Sequence, residues 1–256
     1  MRAALEPVTE RPQAAEAMKP AGGTAPIVSA VIPCLDEEAA IAAVVKAVLA
    51  QGIAEVVVVD GGSRDRTASR AAQAGARVIV EPRPGYGRAI QAGITAVRPD
   101  AEIILFLDGD GSDPAELAPA LVAPIAAGEA VFVAGSRVRG AREPGSLSLA
   151  QLAAARIGSL LLRLVYGARF SDLSPFRAIR RDALARLGMR DLSYGWNLEM
   201  LMRVAAAKLP AREIPVGQRR RAGGQSKVSG HPAAAITAAW VLATTFLRLA
   251  VRLRRE

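Results

Sequence analysis

The sequence contains a single cysteine among its 256 residues, so an intrachain disulfide is excluded. A reducing compartment, the cytoplasm, is therefore the default expectation. The cysteine itself, Cys34, is interpreted as a small hydrophobic residue at a strand end.

Aromatic residues make up only 4% of the chain and do not alternate with the basic residues. Base-stacking platforms for single-stranded nucleic acid are therefore not expected, and we expect no nucleic-acid partner. The formal net charge is nevertheless +9, and residues 219–256 hold eight Lys or Arg residues against one Glu. Anionic lipid headgroups attract such a cluster, so a membrane surface is the favoured partner.

The chain also lacks an uncharged stretch near its C-terminus long enough to predict a transmembrane helix. The stretch 233–247 has 15 residues, and a span needs about 20 apolar residues. We interpret residues 231–256 as an interfacial helix with Trp240 and Phe246 on its apolar side. Arginines at helical spacing complete this interpretation: Arg248, Arg252 and Arg255. A helix packed on the core is the alternative.

What the chain does contain is a regular alternation of strand-like and helix-like segments. Strands are predicted at 28–32, 56–59, 77–80, 103–107 and 130–134, and helices at 37–50, 64–74, 88–97 and 115–127. The alternation predicts an α/β fold with a parallel sheet covered on both faces. Further along, the pattern predicts a helix at 147–165, a return strand at 172–180, a helix at 199–207 and a strand at 212–216. Residues 1–25 lack the apolar core of a secretory signal and are interpreted as a disordered tail.

The apolar run 103–107 ends in Asp108 and Asp110, separated by one glycine. Ligands in open α/β sheets bind at the carboxyl ends of strands. Two acids this close repel unless a cation lies between them, and oxygen ligands suit Mg²⁺ or Mn²⁺ bridging a diphosphate. Alternatively the pair only precedes a helix, since Ser112 and Asp113 come before Pro114 as capping residues do.

Taken in order, seven segments resemble the family 2 glycosyltransferases of GT-A fold, and within them the polyprenyl-phosphate (dolichol-phosphate) mannose and glucose synthases. The segments are VSAVIPCLDEEAAI, VVVVDGGSRDRT, GYGRAIQAG, ILFLDGDGSDP, VAGSRV, SDLSPFRAIRRDAL and QRRRAGGQSK. The resemblance implies a GT-A (Rossmann-like), mostly parallel sheet covered by helices for residues 26–230. With the C-terminal amphipathic, membrane-associated helix, this is the expected fold.

The resemblance also implies a donor site for a nucleotide diphosphate sugar. Asp108 and Asp110 would hold the metal and diphosphate, with Ser112 as a further metal ligand. The residues implied around the nucleotide are Pro33, Leu35 and Glu37 at the base and ribose, Asp60 at the base, and Arg221 and Lys227 over the phosphates. A solvated basic edge is the alternative for the arginines at 219–221.

The acceptor in such enzymes is a lipid monophosphate, which guanidinium groups hold with paired donors. Arg137 is the first candidate and Arg156 the second, with the lipid tail along residues 147–165. Asp172 matches an acid suggested as a base or as an orienter of the acceptor. A phosphate with a second pKa of about 6 is already ionised near neutral pH, so we favour orientation.

These observations predict a metal-assisted, inverting transfer of mannose or glucose from a GDP- or UDP-hexose to a polyprenyl phosphate. The enzyme would lie peripherally on the cytoplasmic face of the membrane, and a separate membrane subunit is possible. A soluble phosphorylated or saccharide acceptor is the main alternative. A nucleotidyltransferase lacks support because no glycine-rich, lysine-bearing loop precedes the first helix. A binding protein without catalysis would have no physical need for paired carboxylates.

Overall fold

The structure, a computed structural model, describes residues 25–223 and 234–253, which build one sheet with helices on both faces. The strands are β1 (Val28–Cys34), β2 (Glu55–Asp60), β3 (Arg77–Val80), β4 (Ile103–Phe106), β5 (Phe132–Ser136), β6 (Arg177–Arg180) and β7 (Ala211–Pro215). The helices are α1 (Ile41–Leu49), α2 (Thr67–Gln73), α3 (Tyr86–Ala96), α4 (Ala118–Ala126), α5 (Leu149–Tyr166), α6 (Arg181–Leu187), α7 (Trp196–Ala206) and α8 (Ala234–Leu253). The strand order is β3-β2-β1-β4-β6-β5-β7.

The central strands are apolar on both faces because both faces are covered. In β1, Val31 belongs to the cluster that includes side chains of α3, α5, α7 and α8. Its neighbours Ala30 and Ile32 belong to the cluster beneath α1 and α4. This is the physical reason that the strands read as continuous apolar runs in the sequence.

Strand β6 runs antiparallel to both β4 and β5, whereas the other pairs in the described sheet are parallel. Its first residue, Arg177, lies opposite Phe106 of β4 and Ala134 of β5. The loop that precedes β6 therefore reaches the sheet edge at which β1, β2, β4, β5 and β7 end. This edge collects nearly all of the predicted site residues.

The predicted elements are present, most with ends shifted by one to four residues, and with three larger differences. Only residues 177–180 of the predicted strand 172–180 pair, because Pro175 has no N–H to donate and the Asp172 carboxylate accepts the Leu173 N–H instead. The predicted helix 115–127 begins as a 3₁₀ turn, Ala115–Leu117, before α4. Helix α6 was not predicted.

Helix α8 (Ala234–Leu253) lies within the predicted helix 231–256 and packs against α5 and α7. Phe246 is only 1% exposed and its ring lies 6.3 Å from that of Tyr166, so its assignment to the membrane side is wrong. Trp240, in contrast, is 68% exposed. Of the predicted tail 1–25, only the last residue is among the described residues. Lys227 also lies outside the described residues.

Helix α5 is long and apolar enough to cross a membrane, judged by length and composition, and it is the one such helix found in the described part of the chain. A single helix of this kind does not distinguish a membrane span from a core helix. It begins in a capping box, where Ser148 and Gln151 exchange side-chain to backbone hydrogen bonds, and ends at Gly167 in the left-handed conformation.

Candidate active site

The ends of β1 and β2 form a rigid pair of loops. The Asp60 carboxylate, nearly buried, accepts the N–H groups of Gly62 and Ser63 at 3.2 and 3.0 Å through Oδ2, and its Oδ1 has no partner among the described residues. Asp36 adopts φ 55°, a left-handed conformation that Asp and Asn tolerate better than most residues. Its Oδ1 accepts the Arg64 N–H at 2.8 Å, which ties the two loops together.

Further side chains of the second loop engage the backbone that leads from β1 into α1. Ser63 Oγ accepts the Asp36 N–H at 2.9 Å, Thr67 Oγ1 the Glu37 N–H at 2.8 Å, and Asp65 Oδ2 the Glu38 N–H at 3.2 Å. Of the predicted nucleotide residues, Leu35 and Glu37 lie on this segment and Pro33 lies just before it, near the end of β1; Leu35 is exposed. Their place at the sheet edge agrees with the expectation, and their contacts with a nucleotide remain a prediction.

The loop after β4 holds the two carboxylates close together. A Cβ added at Gly109 would lie 2.2 Å from Cys34 Sγ, so only glycine fits between Asp108 and Asp110. The Asp108 N–H donates to Asp113 Oδ2 and the Ser112 N–H to Asp110 Oδ1, both at 2.9 Å. Burial and then the charge of Asp110 raise the pKa of Asp108 to about 6.

Arg221, from the segment after β7, supplies the cation that this pair needs. Its Nε lies 2.8 Å from Asp110 Oδ2 and its Nη1 3.7 Å from Glu37 Oε1. Backbone bonds hold the segment over the loop: Arg219 N–H donates to the Ser112 carbonyl at 2.9 Å and Ala222 N–H to the Asp110 carbonyl at 3.2 Å. The structure therefore brings Arg221 to the carboxylates.

Arg137 and Asp172 meet at the ends of β5 and the loop before β6. Arg137 donates through its backbone N–H and Nε to Asp172 Oδ2, at 2.9 and 2.8 Å, and through Nη2 to Oδ1 at 2.9 Å. Burial would raise the pKa of Asp172, but the hydrogen bonds and charge of Arg137 outweigh it and hold this pKa below its ordinary value. An acid held in this way is a poor base, which favours the orienting role.

Arg156 is not brought into this group by any described contact. It is exposed on α5 and forms no ion pair within residues 25–223 and 234–253. Its assignment to the acceptor phosphate remains a prediction without geometric support. On the same helix Leu162 is buried, so the expectation that it contacts a lipid tail is wrong, whereas Leu160, Leu164 and Val165 are exposed.

Two residues of the site escaped sequence reasoning. The Tyr86 hydroxyl lies 3.5 Å from Asp108 Oδ1, and burial raises its pKa well above the ordinary value, with Asp108 adding to the shift. The Arg177 guanidinium is fully buried and donates to the carbonyls of Leu173, Ser174 and Asn197, while burial lowers its pKa to about 10. Tyr86 and Arg177 stand inside resembling segments, but nothing in their sequence spacing indicated that the Tyr86 hydroxyl lies near Asp108 or that the Arg177 guanidinium is buried.

The N-terminus of α3 is closed by the chain itself. Gly87 N–H donates to the Ser193 carbonyl at 3.2 Å and Arg88 N–H to the Leu192 carbonyl at 3.1 Å. A Cβ at Gly87 would lie 2.2 Å from the Asp191 carbonyl oxygen, so this approach requires glycine. The glycines of GYGRAI therefore admit a neighbouring loop.

The donor set of the site fits a divalent cation completed by substrate. No three His, Cys, Asp or Glu side chains form a ready cluster among the residues that the structure describes. However, the Arg221 guanidinium lies on Asp110, and the charge of Asp110 adds to the effect of burial in raising the pKa of Asp108, as expected for paired carboxylates that attract positive charge. One or two carboxylates together with substrate phosphates are the usual ligands of Mg²⁺.

Known proteins are similar to this chain in sequence and in fold. An uncharacterized glycosyltransferase from Mycobacterium tuberculosis is 42% identical over 209 residues, which cover 79% of this chain and 90% of that protein. A dolichyl-phosphate hexose transferase from Haloferax volcanii is 36% identical over 193 residues, 73% of this chain and 81% of that protein.

Among solved structures, the chain is similar to glucosyl-3-phosphoglycerate synthase from Mycobacterium tuberculosis in complex with Mn²⁺, uridine diphosphate and phosphoglyceric acid. The TM-score is 0.68 at 26% identity, covering 88% of this chain and 78% of that one. Residues 29–188 match the model of the family described as Glycosyl transferase family 2. With its GT-A sheet and its paired acids at the strand ends, the chain belongs to the family 2 glycosyltransferases.

Proposed function

We propose that this glycosyltransferase transfers a hexose from a nucleoside diphosphate sugar to a polyprenyl phosphate, with inversion at the anomeric carbon. Mannose and glucose, and GDP and UDP, are the candidate sugars and nucleotides. The observation that carries the acceptor assignment is the exposed apolar surface of α5 and α8.

On the donor side, Asp108 and Asp110 would hold Mg²⁺ or Mn²⁺, with Ser112 as a further ligand. The metal, when bound, balances the charge that grows on the departing diphosphate. Support comes from the paired carboxylates and from the Mn²⁺ and uridine diphosphate in the structure of glucosyl-3-phosphoglycerate synthase. Arg221 and Lys227 would then bind the diphosphate, while Asp60 and the 33–37 segment would bind the nucleoside.

In the transfer, an oxygen of the acceptor phosphate attacks the anomeric carbon on the face opposite the diphosphate. The new carbon–oxygen bond forms as the bond to the leaving diphosphate breaks. Arg137 would hold the acceptor phosphate, since Asp172 engages its Nε and Nη2 but not its Nη1. Asp172 thereby orients Arg137, and no proton needs to be removed from a phosphate already ionised near neutral pH.

The lipid assignment is supported by two neighbouring helices that expose large apolar side chains. Leu164 is 72% exposed on α5, and α8 packed against it exposes Trp240, Leu247 and Val251. Arginines are exposed on the same helices: Arg156, Arg163, Arg248 and Arg252. Apolar side chains beside basic ones are typical of surfaces that lie in the headgroup region of a membrane. We therefore propose peripheral attachment to the cytoplasmic face, with a separate membrane subunit as a further possibility to be tested.

In the experiment, purified protein is incubated with Mn²⁺, radiolabelled UDP-glucose or GDP-mannose, and a short-chain polyprenyl phosphate as acceptor. Label that enters the organic phase as an acid-labile product supports the proposal. A matched reaction contains 3-phosphoglycerate instead of the lipid. If label is transferred only to that soluble acid, the acceptor assignment is wrong while the donor site is retained.

Transfer to a soluble phosphorylated acceptor is the second candidate. It is favoured by one observation, the overall similarity to glucosyl-3-phosphoglycerate synthase. Arg137 would bind a phosphate or carboxylate equally well in this case, so the two candidates differ only in what surrounds the reacting phosphate.

A further inference from the structure

The loop of residues 191–195 is fixed by hydrogen bonds from several directions. Glu199 Oε2 accepts the Asp191 N–H at 2.7 Å, and Asp191 Oδ1 accepts the Ser193 N–H at 2.8 Å and its hydroxyl at 2.6 Å. The carbonyls of Leu192 and Ser193 accept hydrogen bonds from the Arg88 and Gly87 N–H groups at the start of α3. The 191–195 loop thus joins the start of α7 to the start of α3.

The same loop contacts the site through an aromatic pair. Tyr194 stacks on Tyr86, with ring centroids 6.1 Å apart and planes 21° from parallel. Tyr86 in turn places its hydroxyl 3.5 Å from Asp108. A shift of the 191–195 loop would therefore move the side chain that lies against a predicted metal ligand.

Helix α8 reaches this loop through one ion pair. Arg248 Nη2 lies 3.0 Å from Asp191 Oδ2; the arginine side chain is 65% exposed and the aspartate side chain 6%. Asp191 therefore has one oxygen engaged inside the loop and the other engaged by the C-terminal helix. The pair spans 57 positions of sequence and was not indicated by any motif.

We propose that Arg248 is a positioning residue for the donor site. By holding Asp191 it fixes the 191–195 loop, and through the Tyr194–Tyr86 stack it fixes the surroundings of Asp108. Helix α8 is then part of the catalytic architecture as well as a candidate membrane contact. This role does not depend on which acceptor the enzyme uses.

The test compares Arg248→Met with Arg252→Met. Arg252 lies one turn further along α8, is exposed, and forms no ion pair with another described residue. Both variants remove one positive charge from the same helix, so any general loss of membrane attraction is shared. Arg248→Lys, which keeps the charge, is expected to restore part of the effect.

Hydrogen exchange is measured on the full-length protein. In Arg248→Met the amides of Gly87, Arg88 and Ser193 should exchange about tenfold faster, a change equal to ~1.4 kcal/mol, while β1 exchanges as in the wild type. Arg252→Met should exchange like the wild type throughout. Equal exchange in the two variants would overturn the proposal.

Binding of Mn²⁺ with UDP and of Mn²⁺ with GDP is then measured by calorimetry. For the pair that the wild type binds more tightly, Arg248→Met should raise the Kd at least about threefold, and Arg252→Met should not. A faster-exchanging loop with an unchanged Kd would mean a merely structural contact and would reject the positioning role. If the wild type binds neither nucleotide, the proposed function fails, and the exchange data alone decide whether Arg248 fixes the loop.

Discussion

Asp172 accepts three hydrogen bonds from Arg137, two of them from the guanidinium, and the side chains of both residues lie almost entirely out of solvent. The carboxylate is thereby committed to its partner. This contact supports the orienting role favoured for Asp172 from the sequence, because a base would need an oxygen available to a proton.

Replacing Asp172 with Asn should lower the free energy of unfolding by about 3 kcal/mol near neutral pH, because the buried Arg137 charge loses its counter-charge. The pKa of Asp172 lies below its ordinary value of 3.8 in the folded protein. Its stabilising contribution is therefore present above pH 3.8 and lost as the pH falls through the folded value. Urea unfolding of both proteins between pH 7 and pH 3 should show the difference narrowing at acid pH. A constant difference would contradict the ionised pair.

Asp110→Asn should keep the fold but reduce turnover by roughly two orders of magnitude or more, since loss of a metal ligand removes several kcal/mol of transition-state stabilisation. Turnover is measured as a function of Mn²⁺ concentration. Asp100→Asn is the matched control, because Asp100 is an exposed acid paired with Arg98 away from the predicted site. Unchanged metal dependence in Asp110→Asn would remove the metal assignment.

Gly109→Ala should destabilise the protein by about 1–3 kcal/mol, the usual cost of overpacking, because the new methyl group meets Cys34 Sγ. The second substitution Cys34→Ala removes that sulfur. The double variant should regain part of the lost melting temperature relative to Gly109→Ala alone. No recovery would mean that the clash with Ile32 and Ile41, whose side chains a Cβ would approach to 3.3 Å, dominates instead.

Trp240→Gln and Leu164→Gln should each lower the affinity for anionic vesicles, measured by co-sedimentation, about tenfold. The reason is that a large apolar side chain contributes about 1.5–3 kcal/mol when it leaves water. Val80→Gln is the control, because Val80 is 62% exposed on the edge strand β3. Deleting α8 is a poorer experiment, because it removes the buried Phe246 and Leu249 from the core. Vesicle binding equal to that of Val80→Gln would reject this surface as the membrane contact.

The local pattern of apolar residues was enough to predict most strands of the sheet and most of the helices that cover it. This is because the apolar periodicity of each segment is set by which of its faces are buried. The limits of β6 could not be predicted in this way. Asp172 and Ser174 belong to an apolar-looking segment, yet their polar atoms bond to the loop and to Arg177.

Contacts between distant residues were beyond sequence reasoning for a different reason. Arg137 and Asp172 were each assigned a role, but their pairing depends on the reversal of β6, which no single segment encodes. Phe246 was assigned to the membrane because a helical pattern shows that one face is apolar without showing what covers it. Arg177 was missed because a buried arginine reads in sequence as a surface charge.

Several backbone N–H groups that follow β1, β2 and β3 are already hydrogen-bonded within the protein. The N–H groups of Asp36, Glu37, Gly62 and Ser63 donate to side chains, and those of Gly87 and Arg88 donate to backbone carbonyls. These N–H groups therefore stabilise the loops themselves and are not available to a ligand. With the diphosphate proposed beside Asp108, Asp110 and Arg221, these neighbouring loops would offer it few free amides, so its counter-charge would come from side-chain and metal cations, whose attraction weakens as salt is added. Nucleotide affinity in this protein should accordingly follow the ionic strength and the free metal concentration of its surroundings, in contrast to sites in which a helix N-terminus holds the phosphates.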